Sequence, residues 1–282
     1  MDTNTTTDAA ARWNSVADGW ARWGPAVERG EADLTALIRA GLGPMNGRTI
    51  IELGSGSGEL AAQLAVDVGP DGRVLATDIA PGMTEIQTAL LAGVSNVSVL
   101  GGVDAADLHF DDGTADAVVF RMGLMMTARP DDALQSIRRV LRPGGRFVTT
   151  VWGPAIENPW LTSVGMAAMS QGLVSGGPPV APGEPFSLPD PDDLRRRFGV
   201  AGFGDVSVTT HRGTRHYPDA HTHVDMALAL APPLAAAART ISAEQSAALR
   251  GTVIALTAGC RNTDGSYDIP MCAHLASGVA PG

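Results

Sequence analysis

The sequence predicts an α/β domain, a mostly parallel sheet with helices on both faces. Three observations predict it. Short apolar runs alternate with helix-length stretches from about residue 45 to residue 211. The first of these runs, in "TIIELGSGSGELAAQLA" (49–65), passes straight into three closely spaced glycines and then a helix-like stretch. The hydrophobic fraction of the 282-residue chain is 44%, enough to fill one core with insertions.

Residues 9–42 read as two helices broken at Gly24-Pro25, with Trp13, Val16, Trp20 and Trp23 on one face at helical spacing. Strands are expected at Thr49–Leu53, Val74–Thr77, Val97–Leu100, Ala115–Arg121 and Gly145–Val151. Helices are expected between them at about Glu59–Val68, Pro81–Leu91 and Asp131–Leu141. Asp131 suits the N-cap of the last helix, and Arg142-Pro143-Gly144-Gly145 suits its stop. After Trp152 the pattern loosens into a stretch rich in Gly, Pro and Met, in which 175–185 is the expected mobile loop. A helix, Asp190–Phe198, and a strand, Asp205–His211, follow. A helical stretch from about Asp219 to Ala258 and a strand-like run, Ile269–Ser277, complete the pattern. The expected division is an N-terminal helical cover (1–44), a core (45–152), a lid insertion (153–188), a core continuation (189–211), a helical lid insertion (212–268) and a final strand (269–282). Both insertions begin just after a strand. If those strands run parallel to the first, both leave from the carboxyl edge, where open α/β sheets bind ligands.

Composition removes several classes of function. The formal net charge is −10, so a phosphate backbone offers no counterion-release gain and no nucleic-acid partner is expected. All 20 basic residues are arginine. Schiff-base lysines, P-loop lysines and Ser-Lys pairs are thereby excluded. Cys260 and Cys272 are too few for a disulfide framework or a zinc site. The polar N-terminus lacks a signal-peptide core, and the most apolar later stretch, "MALALAPPLAAAA", is too short for a membrane span. A cytoplasmic bacterial-type enzyme is expected.

Gly54, Gly56 and Gly58 let the backbone turn tightly and approach a ligand. The helix that follows offers its N-terminal N–H groups to an anionic group. A dinucleotide fingerprint needs a glycine at position 59, where Glu59 stands, so NAD is disfavoured. A nucleophile elbow needs serine where Gly56 stands. A P-loop needs the missing lysine. An acid-x-G-x-G-x-G pattern remains, on Glu52, Gly54, Gly56 and Gly58.

This pattern resembles the S-adenosylmethionine site of class I methyltransferases. The likeness continues in "VLATDIAPGM", "GGVDAADLHF", "FRMGLMM" and "RVLRPGG", four stretches in the family's order and spacing. It is nearest to the ubiquinone/menaquinone-biosynthesis (UbiE-like) type and its small-molecule-modifying bacterial relatives, to which "VWGPAIENPW" and "PGEPFSLPDPDDLRRRF" are also similar. It covers about residues 45–211. The resemblance implies a Rossmann-like, seven-stranded sheet and S-adenosyl-L-methionine as cofactor. It implies that Glu52 organises the loop and the ammonium end, that Asp78 holds the ribose and that Met83 lies on the adenine face. Asp104 would accept the adenine amino group, the Ala105 N–H would reach a ring nitrogen, and the Arg121 or Met122 backbone would contact the methionine tail. Val103 and His109 replace the family's usual glycine and proline.

Trp13, Trp20 and Trp23 read either as packing or as a cover for cofactor or acceptor. Met122, Met125, Met126, Met166 and Met169 read either as core or as an adaptable acceptor pocket. His221 and His223 lack the further ligands of a metal site, and no metal is expected. For a general base, His216 is the choice, just past the sixth strand, with His211 and His223 in reserve; a solvated loop is the plain alternative. Methyl transfer draws much of its rate from positioning, so a base is needed only for an acceptor of high pKa. The expected function is methyl transfer to an apolar small molecule, on O or C rather than N. The alternative is a protein of the same fold that binds the cofactor without transferring its methyl. A homodimer is compatible with either.

Overall fold

β1 (Thr49–Glu52) lies in the middle of the sheet, with Ile50, Ile51 and Glu52 buried on alternate faces. The computed structural model describes residues 3–175 and 179–282; part of the loop expected to be mobile, 176–178, lies outside the described residues. β1 is flanked by β2 (Arg73–Asp78) and β4 (Ala115–Arg121), both parallel to it. β3 (Val97–Gly101) pairs with β2, and β5 (Leu141–Trp152) pairs with β4, again in parallel. β7 (Tyr267–Val279) inserts antiparallel between β5 and β6 (Gly204–Tyr217). The order is β3-β2-β1-β4-β5-β7-β6, seven strands with one reversed. β6 therefore runs in the same sense as β1 and ends at the same, carboxyl edge. The order turns back between β1 and β4, the switch point at which such sheets bind ligands.

Alternate strand residues pack onto two helical layers. Ile51, Val118 and Phe147 meet α6 (Pro130–Val140) and α8 (Pro191–Val200) on one face. Ile50, Val74 and Val148 meet α4 (Glu59–Val68) on the other. Phe147 stacks on Phe198 at 5.3 Å, and Phe203 tilts against both rings. Each such ring pair adds about 0.5–1.5 kcal/mol beyond area burial. α5 (Pro81–Leu90) follows β2.

The N-terminal region differs from the expected two helices. It forms α1 (Thr3–Asn14), α2 (Ala17–Gly30) and α3 (Ala32–Leu42), and Pro25 lies inside α2. Gly24 stays helical because it packs where a Cβ would come within 2.4 Å of Ser57 Oγ and Glu59 Oε1. Here tertiary packing outweighs the breaker signal. The cap of α6 is also corrected: Pro130 opens the helix and Arg129 takes the N-cap position, so Asp131 lies in the first turn. β6 continues to Tyr217, six residues past the expected boundary at 211, because its whole length pairs with β7 down to Tyr217 opposite Tyr267. The polar "RGTRHY" (212–217) falls in the expected lid insertion, since an edge strand needs apolar residues on one face only and gives a weak signal. The expected lid helices are α7 (Pro159–Ser170), α9 (Ala220–Leu230), α10 (Pro232–Ala238) and α11 (Ala243–Leu256), which share an apolar cluster around Val164, Val224, Leu234 and Leu249. α2 crosses α9 so closely that a Cβ on Gly19 would meet the Ala229 carbonyl oxygen at 2.1 Å. Among the described residues, no helix is long and apolar enough to cross a membrane.

Candidate cofactor and acceptor site

The glycine loop leaves β1 at the switch point. Gly54, Gly56 and Gly58 have φ of 56°, 57° and 97°, the left-handed region that favours glycine. A Cβ on Gly56 would meet nothing within 4 Å, whereas one on Gly54 would touch the Phe120 ring at 3.0 Å. Gly54 is thus required by packing, and Gly56 leaves open space beside bare backbone. Gly58 is the N-cap of α4.

Two buried acids flank the loop. Asp78, at the end of β2, accepts the Gly56 N–H at 3.0 Å and the Ala80 N–H at 2.9 Å. Burial raises its pKa to about 6, with the Ala80, Gly56 and Ile79 N–H groups opposing the rise. Glu52, at the end of β1, is 1% exposed, and its Oε2 has no hydrogen-bond partner. Burial raises its pKa to about 8; Arg121 opposes, while Glu28, Glu59 and Asp78 add to the rise. An orphaned buried carboxylate oxygen costs stability and marks a place for a donor. An ammonium group beside open backbone meets that requirement, and the loop therefore fits the amino-acid end of S-adenosylmethionine.

Each remaining residue that the sequence singled out has a definite place. Met83 is buried against Val16, Ala80, Ala235, Trp13 and Trp20, so the cover packs directly onto it. Asp104 accepts the Ala106 N–H at 2.9 Å and pairs with Arg129 at 3.2 Å. Ala105 is buried next to it. Met122 has φ of 52°, strained for a side-chain residue, and its N–H donates to the Thr150 carbonyl at 3.0 Å. Its N–H is thus committed within the sheet. The Arg121 guanidinium pairs with Glu28 of α2 and donates to Thr35 Oγ1 at 3.2 Å. Burial pushes the Glu28 carboxyl up, but Arg121, Gln63 and Thr35 together leave it below the ordinary value.

The histidines separate. His216 lies within β6 rather than beyond it, on the exposed side, with Nδ1 2.9 Å from Asp268 Oδ1. Arg215 and Tyr217, its neighbours in a two-residue alternation, are buried on the opposite side. His211 shares their side of the strand, about 13 Å back along it. His223 is buried in α9, 4.7 Å from the Tyr217 ring. The placement thus turns the preferred histidine outward and a reserve inward. Among the described residues, no group of three His, Cys, Asp or Glu side chains is arranged to hold a metal.

The sequence reading missed several side chains. Gln87 donates to the Gly56 carbonyl at 2.8 Å and props the loop. It lies one helical turn after Met83, a spacing that was open to notice. Glu28 and Glu31 lie three apart and reach Arg121 and Arg215, at the ends of β4 and β6. Nothing local in the sequence announces those pairs.

A model of the methyltransferase-domain family matches residues 51–149. The chain is 31% identical over 193 residues to the ubiquinone/menaquinone biosynthesis C-methyltransferase UbiE of Enterobacter sp. strain 638, covering 61% of this chain and 75% of that protein. It is 33% identical over 141 residues to the demethylmenaquinone methyltransferase of Clavibacter sepedonicus, covering 49% of this chain and only 56% of that relative. Among solved structures, a candidate methyltransferase of Bacillus halodurans C-125 matches with a TM-score of 0.59 at 15% identity, over 89% of this chain and 100% of that one. At that identity the structural likeness speaks for the fold, and the sequence likeness carries the family. With its sheet order, switch-point glycine loop and flanking acids, the chain belongs to the class I S-adenosylmethionine-dependent methyltransferases of the UbiE-like type.

Proposed function

We propose that the chain methylates an apolar small molecule, a quinol or phenol, at carbon or oxygen. One observation carries the reading: an open glycine loop with two buried acids shares its sheet edge with an aromatic, mostly apolar cluster roofed by helices. S-adenosylmethionine supplies an electrophilic methyl carbon when bound. Gly54, Gly56 and Gly58 would give it bare backbone, Asp78 the ribose contact, Met83 an apolar wall, and Asp104 with the Ala105 N–H the adenine edge. Glu52, with Arg121 and Met122, would hold the amino-acid end. The 153–188 and 212–268 segments would act as lids that exclude water and shape the acceptor site, where positioning contributes most of the rate. The quinone chemistry in the names of the sequence relatives supports a quinol-like acceptor. We take the enzyme to work in the cytoplasm without nucleic acid, as a monomer or homodimer.

S-adenosylhomocysteine release over a panel of quinols, phenols and amines tests this. Turnover with a quinol or phenol is the expected result. Tight cofactor binding by calorimetry with no turnover over the whole panel overturns it, and points to a binding or rearrangement role on the same fold.

A further inference from the structure

β6 and β7 run past the end of β5 as a two-stranded ribbon. On that ribbon, Arg215 lies over two tryptophan rings. Its guanidinium carbon is 4.0 Å from the Trp160 centroid and 5.3 Å from that of Trp152, the last residue of β5. Trp152 follows Thr150, the register partner of Arg121, by two residues. The cluster therefore adjoins the strand end that closes the cofactor side.

Three buried polar atoms here have no hydrogen-bond partner: Arg215 Nε, His223 Nδ1 and Trp20 Nε1. Arg215 is 7% exposed and His223 1%. They come from β6, from α9, the helix that follows it directly, and from α2, far away near the N-terminus. Trp20 and Trp160 pack into one apolar cluster with Tyr217, and Trp20 also touches the cluster that holds Met83. An isolated orphan is a cost to folding; two donors and one acceptor around one aromatic cluster describe a complementary ligand group.

The protonation pattern is set by geometry. His223 Nε2 lies 2.5 Å from the Trp160 carbonyl, which only accepts, so Nε2 carries the proton. Nδ1 is left as a bare lone pair. Burial holds the imidazole below its ordinary pKa, the Trp160 carbonyl works against that, and Arg215 adds to the lowering. Neutral imidazole is thus the resting form. Arg215 pairs through its terminal nitrogen with Glu31, which cancels its charge while the cover is seated.

We propose that Arg215 and His223 form a site for the ionisable hydroxyl of a phenol-class acceptor, with His223 Nδ1 taking the hydroxyl proton and Arg215 facing the oxyanion. This deepens, and rests on, the small-molecule reading above. The O–H bond breaks, its proton moves to Nδ1, and the electron pair stays on oxygen. The imidazolium so formed is balanced by the new oxyanion, and its proton returns to water when the cover lifts. The tryptophan walls take the aromatic ring, and the Trp20 N–H donates to a second oxygen such as that of a quinol.

Absorbance of 4-nitrophenol and 4-nitrocatechol bound to the full chain at pH 6 reads the ionisation directly, with no need for turnover. The wild type is expected to shift the bound probe toward phenolate by at least tenfold over free probe. His223→Gln keeps an N–H for the Trp160 carbonyl but offers no comparable base, and is expected to lose most of that shift. Trp20→Phe keeps the ring and is expected to weaken only the catechol. Probes that do not bind, that bind un-ionised, or that ionise equally in His223→Gln overturn the proposal. S-adenosylhomocysteine release measured alongside separates the two readings. Ionisation without transfer to any acceptor sinks methyl transfer and keeps this site. Equal transfer by wild type and His223→Gln keeps methyl transfer and sinks the base.

Discussion

The two halves of the sheet's carboxyl edge are built in different ways. On the side of β1, β2 and β3, the proposed cofactor site is backbone: three left-handed glycines, with two acids at strand ends to either side. On the side of β5 and β6, the proposed acceptor site is side chains: Trp152, Trp160, Arg215 and His223, brought together from β5, α7, β6 and α9. The first half needs a handful of residues in a short window, so its chemistry is local. The second needs a folded cover before any of its contacts exist. The contrast teaches that a cofactor shared by a family can be held by backbone that tolerates little change. An acceptor peculiar to one enzyme, as proposed above, would be held by side chains free to differ.

Breaking the backbone half gives the largest expected effect. Gly56→Val puts a branched side chain into the open space beside the loop and strains a left-handed residue by about 1–2 kcal/mol. Calorimetry is expected to show loss of S-adenosylmethionine binding by 100-fold or more, with the far-ultraviolet circular dichroism of the wild type. A variant that binds normally removes the loop from the site.

Asp78→Asn sharpens the same half. Its carboxyl pKa is raised to about 6, so it is charged above that pH and neutral below. If the charged form accepts ribose hydroxyls, wild-type affinity falls as pH drops through 6. The variant is expected to bind about 5- to 150-fold more weakly at pH 8, a loss of roughly 1–3 kcal/mol. It is also expected to lack the pH step between 5 and 7. Parallel pH profiles for the two proteins would assign Asp78 to holding the loop alone.

The smallest expected effect tests the cover. Gly19→Ala drives a methyl group into the Ala229 carbonyl and must separate α2 from α9. Differential scanning calorimetry is expected to show a melting temperature about 2–4 °C lower, the shift of roughly 1 kcal/mol in a chain of this size. Cofactor affinity should change less than threefold while binding of aromatic probes weakens more. Equal losses of both would mean that the two halves fold and close as one unit.

Much of the fold is legible in the residues. Glu59–Val68 is helical with the expected limits, because a glycine N-cap, continuous apolar spacing and Gly69 agree at every level. The strand ends that carry Glu52 and Asp78 are legible because the apolar runs Ile50-Ile51 and Val74–Ala76 are followed within two residues by an acid. The local signals misled where tertiary contacts outweighed them. Pro25 reads as a break and sits inside α2, and "RGTRHY" (212–217) reads as part of the lid insertion and pairs along its full length with β7.

By itself, then, the sequence determined the sheet, the position of the glycine loop and the acids around it, since each depends on neighbours within a few residues. Only the tertiary structure decided which histidine turns inward, which arginine lies on tryptophan and which glutamates pin the cover. A one-residue step on β6 sends His216 to solvent and Arg215 into the interior, and where that strand ends depends on its pairing with β7 fifty residues away. Side-chain sites of this kind depend on register and on helix placement, which are set by contacts across the whole chain.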